Sequence, residues 1–412
     1  MTSPLTYRTI SCIGTASFRD GYGVTLPFFI ECKANGEIEI RTSGSDSSVN
    51  SELHRRLRQK CQFRGTTSEG AAINSSTMQL FGESDSYRSG QFSFSFRFFL
   101  IGKMRINYQR LPSGGMVELK VGLINLLFYQ LRLYVRLEKM IVFELVDHFI
   151  NLDKSLSAEG FQLTAVAKIL THPSGITESK NVIDDLVNLL SFATGTYVSP
   201  AYLDVYRIDG TRIYSEIQPV RTHKYRDTPL IDCRFNTSDL VRFLEKSYPS
   251  YRNLVGKLKL NVALDNCNMS ELSPTLDIRF IVTFIGLESL LQRLQNHLPY
   301  KAQRHRFVRA LLINLHLAKK ESLVLSRLRR ALAYYNLTDR AGVSKDIQSG
   351  GRPNYEQIRN RLVHSGTWPK NVEPLQSYVS LLNLYERLLL AILDYRDYFI
   401  DKSMDYKRRI VD

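Results

Sequence analysis

The stretch Arg359-Asn360-Arg361-Leu362-Val363-His364-Ser365-Gly366 has the apolar spacing and the terminal glycine that are typical of a short helix. Asn360 lies four residues before His364, so these two side chains project from nearly the same helical face. Arg359 and His364 are separated by about 140 degrees around the helix axis. The stretch therefore places an arginine, an amide and a histidine within about one and a half helical turns.

The sequence around this stretch predicts an up-and-down helical bundle over residues 273–412. Asn354 is a candidate N-cap of the motif helix, and Tyr355, Ile358 and Leu362 recur at the spacing of a buried face. The first bundle helix is predicted to start at Ser273-Pro274, a pair typical of the N-cap and first helical positions. The bundle helices other than the motif helix have predicted core stripes. These stripes are Ile278, Ile281, Val282, Ile285, Leu290 and Leu294 in the first helix; Phe307, Ala310, Leu311, Asn314 and Leu315 in the second; Leu325, Leu328, Ala331 and Leu332 in the third; and Leu375, Tyr378, Leu382, Tyr385, Leu389 and Ile392 in the last.

The N-terminal part of the chain, residues 1–172, is predicted to be a β-rich domain, either a sandwich or a barrel. Its segments alternate between apolar and polar residues with period two, as half-buried strands do. These segments are Glu37–Ile40, Phe92–Phe96, Leu131–Leu137 and Phe161–Val166. The polar runs Ser43–Ser48 and Gly82–Ser86 have the composition of turns.

Residues 173–272 are predicted to form a small α/β connector, so the fold class expected for the whole chain is α+β. Val182, Ile183, Leu186, Leu189 and Leu190 recur at helical spacing. Asp209-Gly210 then predicts the turn of a β-hairpin. Two further helical patterns cover 238–246 and 251–264.

The charge of the chain favours a polyanionic partner. Lysine and arginine outnumber aspartate and glutamate by 55 to 40, which gives a formal net charge of +15. From Thr275 onward, 23 basic residues face 13 acidic ones, a difference of +10 that leaves only +5 for the first 274 residues. The C-terminal third is therefore the part expected to meet a polyanion, although a basic surface without any nucleic-acid role has the same composition.

The five cysteines are scattered, and their spacing is not that of metal ligands or of a disulfide framework. The start of the sequence lacks the basic and apolar regions of a signal peptide, and its apolar runs are too short for a membrane span. We therefore expect a cytoplasmic protein that does not associate with a membrane.

The motif Arg359-Asn360-x-x-x-His364, flanked by long amphipathic helices, resembles the R-x(4-6)-H motif of HEPN-domain ribonucleases, in which a polar residue commonly follows the arginine. The resemblance covers about residues 275–400. A β-rich front half ahead of such a C-terminal domain is similar to the ApeA-like proteins of bacterial anti-phage defence. A second pair at similar spacing, Arg309 and His316, lacks the amide after the arginine and is interpreted as structural.

The resemblance implies an endoribonuclease that acts as a homodimer or higher oligomer on tRNA or another host RNA. It also implies that the N-terminal domain senses a trigger, for which a phage-derived partner is expected. RNA carries its own nucleophile, the ribose 2′-hydroxyl, so the reaction needs neither a cofactor nor a metal. In this hypothesis His364 moves the protons, Arg359 stabilises the charge on phosphate, and Asn360 orients the imidazole or contacts the phosphate. Further cations are predicted to bind the substrate, namely Arg361, Arg304, Arg306 and Arg309.

Two other interpretations remain open. Asp20 with Glu31-Cys32-Lys33 imitates the acidic pair and lysine of metal-dependent nucleases, in which two carboxylates hold Mg²⁺. Alternating acids and bases on the solvent side of a strand have the same pattern. The second interpretation is a non-catalytic RNA-binding or interaction module whose helical bundle serves dimerisation.

Overall fold

The computed structural model describes residues 6–33, 35–44, 47–88, 91–128, 130–146, 163–220, 229–233, 236–296, 355–370, 372–402 and 407–410. The chain divides into two compact units: unit 1 comprises Met1–Ile183 and Tyr197–Tyr225, and unit 2 comprises the remaining residues. The strands are β1 (Thr6–Phe18), β2 (Gly23–Lys33), β3 (Ile38–Gly44), β4 (Lys60–Thr67), β5 (Ala72–Arg88), β6 (Gln91–Leu100), β7 (Met104–Asn107), β8 (Val117–Ile124), β9 (Arg132–Arg136), β10 (Met140–Leu145), β11 (Leu163–Thr171), β12 (Ser199–Arg207), β13 (Arg212–Ile217), β14 (Tyr398–Asp401) and β15 (Lys407–Ile410). The helices are α1 (Ser47–Arg55), α2 (Ile176–Thr194), α3 (Thr237–Leu258), α4 (Leu260–Leu272), α5 (Leu276–Asn296), α6 (Tyr355–Ser365) and α7 (Pro374–Ile392).

The fold is mixed α+β, and the N-terminal part of unit 1 is a six-stranded antiparallel barrel. Its strand order is β4-β1-β2-β3-β6-β5, and the pairing of β4 with β5 closes it. Inward-facing residues alternate with outward-facing ones, and the interior is aromatic. Phe28 lies edge-on to Phe63 and to Phe98, with ring centroids 4.8 and 5.6 Å away. Of the two predicted β architectures, the barrel is the one that forms.

Seven further strands extend the sheet from the barrel in the order β7-β13-β12-β8-β11-β10-β9. A buried polar group links this extension to β1. The Arg8 guanidinium donates hydrogen bonds to Asp204 of β12 at 2.5 Å and to Ser215 of β13 at 2.7 Å. Because Asp204 and Ser215 are almost completely buried, this hydrogen-bonded pairing satisfies polar groups that would otherwise be costly to bury.

The four period-two segments coincide with β3, β6, β9 and β11, although Glu37, Leu131 and Leu137 flank their strands. Phe161 and Gln162 are outside the described residues. The turn predicted at Gly82–Ser86 is wrong, because these residues belong to β5 and pair with β6. A register shift occurs between Leu80 and Gly82, so the glycine marks an irregularity inside a strand rather than its end. The Asp209-Gly210 hairpin is confirmed between β12 and β13, and Gly210 has a φ of +86°.

The elements of the predicted connector are distributed over both units. Strands β12 and β13 belong to unit 1, helices α3 and α4 belong to unit 2, and α2 is divided between the units at Ile183. The α2 stripe from Val182 to Leu190 is buried as its spacing predicts.

Unit 2 is built from α3 to α7, the C-terminal half of α2 and a C-terminal hairpin of β14 and β15. Aromatic rings connect its elements, since Phe243 of α3 lies 6.2 Å from Phe192 of α2 and 5.2 Å from Tyr395. The buried Tyr385 hydroxyl of α7 donates to the Ala263 carbonyl of α4 at 2.8 Å. The hairpin contradicts the expectation that this part of the chain is entirely helical. None of the described helices combines the length and apolar character that crossing a membrane demands.

The prediction of which face of α5 is buried is wrong in part. Ile278 and Ile285 are 44% and 50% exposed, whereas Phe280, Phe284 and Leu287 are buried, and so is the predicted Leu290. Both faces of α5 are apolar, so residue spacing alone could not distinguish which of them packs against the rest of unit 2. The stripes predicted at 307–315 and 325–332 lie outside the described residues.

The start of α5 differs from the predicted one for a local reason. Ser273 ends α4 instead of capping α5, and its hydroxyl donates to the Met269 carbonyl. Thr275 takes the capping role for α5, since the Ile278 amide donates to its hydroxyl. In α7 the predicted stripe is buried except at Leu375, which is exposed in the first turn.

A buried ionic cluster joins α4, α7 and the end of β14. The Lys402 ammonium donates hydrogen bonds to Glu271 of α4 and to Glu386 of α7, the latter at 2.6 Å. All three residues are less than a tenth exposed. Two carboxyl groups therefore share one lysine in the interior of unit 2. Burial raises the pKa of Glu386 to about 7, although Lys402 acts in the opposite direction.

Candidate functional site

Helix α6 presents the motif residues and is held against α5 by its apolar face. Ile358 and Leu362 are buried, which confirms two of the three predicted core-facing positions, and the side chain of the third, Tyr355, lies outside the described ones. The helix ends at Ser365, and the amide of Gly366 donates to the Leu362 carbonyl at 3.0 Å. Gly366 has a φ of +63°, so the predicted glycine C-cap is also confirmed.

Arg359 is held by two neighbours. Its Nη1 donates a hydrogen bond to the Oδ1 of Asn360 at 2.8 Å. The centre of its guanidinium lies 5.7 Å from the ring centroid of Phe284 on α5, which is the range of a cation-π contact. The hydrogen bond turns the guanidinium toward the helical face that carries Asn360. The predicted roles of Asn360, which are orienting the imidazole or contacting the phosphate, stay predictions.

His364 lies in the last turn of α6, and its side chain is exposed to solvent. Within the described ranges, the imidazole has no hydrogen-bond partner. Asn360 lies one turn earlier on nearly the same face, about 6 Å along the helix axis. Arg361 is exposed as well, and its Nε lies 3.5 Å from the Thr367 hydroxyl.

The arrangement joins a guanidinium to an amide, and the imidazole follows that amide on nearly the same face of α6. Arg359 and Asn360 are in direct contact, and Asn360 precedes His364 by one turn. The Cα atoms of Arg359 and His364 are separated by about 7.5 Å along the helix axis and by about 140 degrees around it. A phosphate bound beside Asn360 could therefore receive the guanidinium on one side and the imidazole on the other.

The segment after α6 is anchored by Trp368, which sequence reasoning did not select. Its ring lies edge-on to Phe280 of α5, with centroids 5.3 Å apart. Its indole N–H donates to the Asp277 carboxylate in the first turn of α5. The C-terminal end of the motif helix is therefore fixed to α5 on both sides of Gly366. The available signal was that Trp368 is the one tryptophan of the chain.

Several predicted residues fall outside the described residues. These are the substrate-binding candidates Arg304, Arg306 and Arg309, the structural histidine His316 and the predicted cap Asn354. No group of three or more potential metal ligands occurs within the described ranges.

The interpretation of Asp20 and Glu31 as a metal-binding pair is wrong. Asp20 follows the end of β1, and its Oδ2 accepts a hydrogen bond from Nη2 of Arg56 at 2.8 Å. Glu31 pairs with Thr9 near the opposite end of the β1–β2 ladder. The ladder positions of Gly23 and Glu31 are eight residues apart on β2, which corresponds to about 26 Å along the strand. One ion cannot bind both carboxylates across that distance.

Comparison of this chain with protein families, with curated proteins and with solved structures finds no match in any of the three.

Proposed function

We propose that the chain is a HEPN-type endoribonuclease whose catalytic residues lie on α6 of unit 2. The observation that carries the proposal is the hydrogen bond from Arg359 to Asn360, one turn before the exposed His364. This bond holds a permanent cation beside the face that carries the imidazole. A planar guanidinium suits the oxygens of a phosphate, and imidazole is the side chain whose ordinary pKa is nearest neutrality.

In the proposed reaction the ribose 2′-oxygen forms a bond to the adjacent phosphorus, and the bond from phosphorus to the 5′-oxygen breaks. The proton of the 2′-hydroxyl passes to His364, and the departing 5′-oxygen takes up a proton from imidazolium. The products are a 2′,3′-cyclic phosphate and a 5′-hydroxyl end. Arg359 stabilises the negative charge that grows on the phosphate oxygens, and Asn360 positions that guanidinium.

The substrate that the resemblance favours is tRNA or another host RNA, cut during phage infection. The expected effects are large, because a general acid-base group is typically worth about 10² to 10⁴-fold in rate and a charge-stabilising donor about 10² to 10³-fold. Substituting Asn360 should have a smaller effect, since it acts on the phosphate through Arg359.

The test is to incubate the purified full chain with total RNA in EDTA and to map the fragment ends. We expect cyclic-phosphate and 5′-hydroxyl ends, loss of cleavage in His364→Ala and Arg359→Ala, and wild-type cleavage in His172→Ala. His172 is an exposed histidine of unit 1 and serves as the matched control. Fragments with 3′-hydroxyl ends, or full activity in His364→Ala, would contradict the proposal.

We also propose that the active form is a homodimer in which residues of two copies line one cleft. The separation of Arg359 and His364 around α6 motivates this arrangement. Mixing the inactive Arg359→Ala and His364→Ala chains tests it directly. If Arg359 of one copy works with His364 of the other, mixed dimers contain one intact pair and recover activity. Mixtures that stay inactive while copurification of two differently tagged chains shows mixed dimers would place both groups in the same chain.

The second candidate is a non-catalytic RNA-binding or dimerisation module. The exposed Ile278 and Ile285 on one face of α5 favour it, because apolar side chains seven residues apart are suited to packing against another helix. The His364→Ala chain separates the two candidates. If RNA binding and the cellular phenotype both survive this substitution unchanged, the non-catalytic module is favoured.

A further inference from the structure

A row of polar side chains crosses four neighbouring strands on one face of unit 1. Arg64 of β4 is opposite Asn74 of β5, Asn74 is opposite Arg105 of β7, and Arg105 is opposite Glu216 of β13. Residues directly opposite each other in a ladder project from the same face of the sheet. Since neighbouring strands are about 4.8 Å apart, the row is about 14 Å long.

Cations in and beside this row outnumber its one carboxylate, Glu216. Glu216 is 5% exposed, and its Oε1 accepts from Lys103 at 2.9 Å and from Lys180 at 2.6 Å. The Nε of Arg105 lies 3.5 Å from its other oxygen, Oε2. Burial acts to raise the pKa of Glu216, but the hydrogen bonds from the two lysines outweigh it and hold that pKa at about 2. The carboxylate is therefore ionised at neutral pH, and it neutralises one of the cations around it.

The side chains that carry this charge reach the solvent. Those of Lys103 and Arg105 are 42% and 58% exposed, and Arg64 is exposed at the other end of the row. With Lys180, these residues carry four positive charges against the single negative charge of Glu216. We call Arg64, Asn74, Arg105, Glu216, Lys103 and Lys180 the cationic row.

A hollow of about 550 Å³ lies beside the β4 end of the cationic row. Its polar lining includes the side-chain amides of Gln62 and Asn74 and the hydroxyl of Ser76, together with Arg64. Amides, hydroxyls and guanidinium groups are the side chains that contact phosphate oxygens in nucleic-acid complexes. The lining offers hydrogen-bond donors for an anion and, among these side chains, no carboxylate to repel it.

We propose that the cationic row of unit 1 binds the phosphate backbone of RNA, independently of the motif residues on α6. The choice of RNA rests on the proposed function, and the charge complementarity rests on the row itself. Contacts to phosphate are independent of base sequence, so this surface would supply affinity rather than sequence specificity. Along each strand of a duplex the phosphates follow one another every ~3.4 Å of axis, so a row of this length can contact more than one.

The test measures binding of a fluorescein-labelled 20-nucleotide polyuridine by anisotropy over a series of KCl concentrations. All chains carry His364→Ala, so that the proposed cleavage does not consume the probe. Arg64→Ala with Arg105→Ala removes two cations from the row, and Arg19→Ala with Arg110→Ala removes two exposed arginines elsewhere in unit 1. Arg64→Ala alone is included because Arg105 also contacts Glu216 and its loss could affect folding.

We expect the double row variant to reduce the slope of log K against log salt by about 1.4, since each phosphate contact on a single strand contributes about 0.7. At 0.1 M salt this corresponds to about 25-fold weaker binding. Arg64→Ala alone should lose about 5-fold, and the control pair should bind like the parent. Replacement of Arg64 and Arg105 by lysine should restore most of the affinity, because lysine keeps the charge.

Outcomes for the two proposals are separable. Unchanged binding in the row variants, or a parent chain that does not bind polyuridine, overturns the cationic row even if wild-type chain cleaves RNA. Row-dependent binding by a chain that never cleaves RNA supports the row and counts against the proposed function. Competition by polyglutamate as effective as that by RNA would instead assign the row to an acidic protein partner.

Discussion

The buried cluster of Glu271, Glu386 and Lys402 should make the stability of unit 2 decrease from pH 5 to pH 8. Burial raises the pKa of Glu386 from its ordinary 4.5 to about 7, so the folded chain holds this proton more tightly than the unfolded chain. The resulting stabilisation is fully present below about pH 4.5 and is lost as the pH rises through about 7. At 1.36 kcal/mol per pKa unit, the loss between pH 5 and pH 8 is about 2 to 3 kcal/mol.

The substitution Glu386→Gln tests this reasoning. An amide resembles the protonated carboxyl in shape and keeps an oxygen that can accept from Lys402. The variant should therefore match the wild type near pH 5 and exceed its free energy of unfolding by about 2 to 3 kcal/mol at pH 8. Trp368 is the one tryptophan of the chain and lies in unit 2, so its fluorescence during urea unfolding reports on this unit alone.

Glu373→Gln serves as the control, because Glu373 is an exposed carboxyl at the start of the same helix as Glu386. It should retain the wild-type difference between pH 5 and pH 8. If Glu386→Gln showed that same difference, the assignment of the proton to the buried cluster would be refuted. Lys402→Met should act in the opposite direction and destabilise unit 2 by about 3 to 5 kcal/mol, since it leaves two buried carboxyl groups without their cation.

Three other substitutions test the packing around the site and the barrel. Trp368→Phe keeps an aromatic ring beside α5 but leaves Asp277 without the indole donor, so urea unfolding followed by circular dichroism should show a loss of about 1 to 3 kcal/mol; a loss below about 0.5 kcal/mol would mean that the hydrogen bond contributes little. Gly366→Ala has free space for its new Cβ but keeps a left-handed φ of +63°, so thermal melting should show a cost of about 1 to 2 kcal/mol, and an unchanged melting temperature would argue against the left-handed cap. Asp204→Asn removes the buried negative charge beside Arg8 and should cost about 3 kcal/mol in urea unfolding, whereas an unchanged free energy of unfolding would show that water solvates Arg8 in its place.

Much of the local structure could be predicted from residue patterns. Period-two alternation identified strands β3, β6, β9 and β11, Asp209-Gly210 identified a hairpin, and Gly366 identified the end of the motif helix. These features depend on residues near one another in the chain, whose side chains alternate or recur with the geometry of the backbone. Residue patterns did not predict the buried face of α5, because that helix is apolar on both faces. They also did not predict that β5 continues through Gly82, because the residues there have the composition of a turn.

At the candidate site, the sequence by itself determined the spacing of Arg359, Asn360 and His364 and the helix that carries them. Only the tertiary structure decided that Phe284 lies against the Arg359 guanidinium and that Trp368 anchors the following segment to α5. The closure of the barrel, the buried Lys402 cluster and the cationic row likewise join residues far apart in the chain. Such contacts arise from the packing and register of whole elements, and packing brings together side chains whose positions in the sequence have no fixed relation.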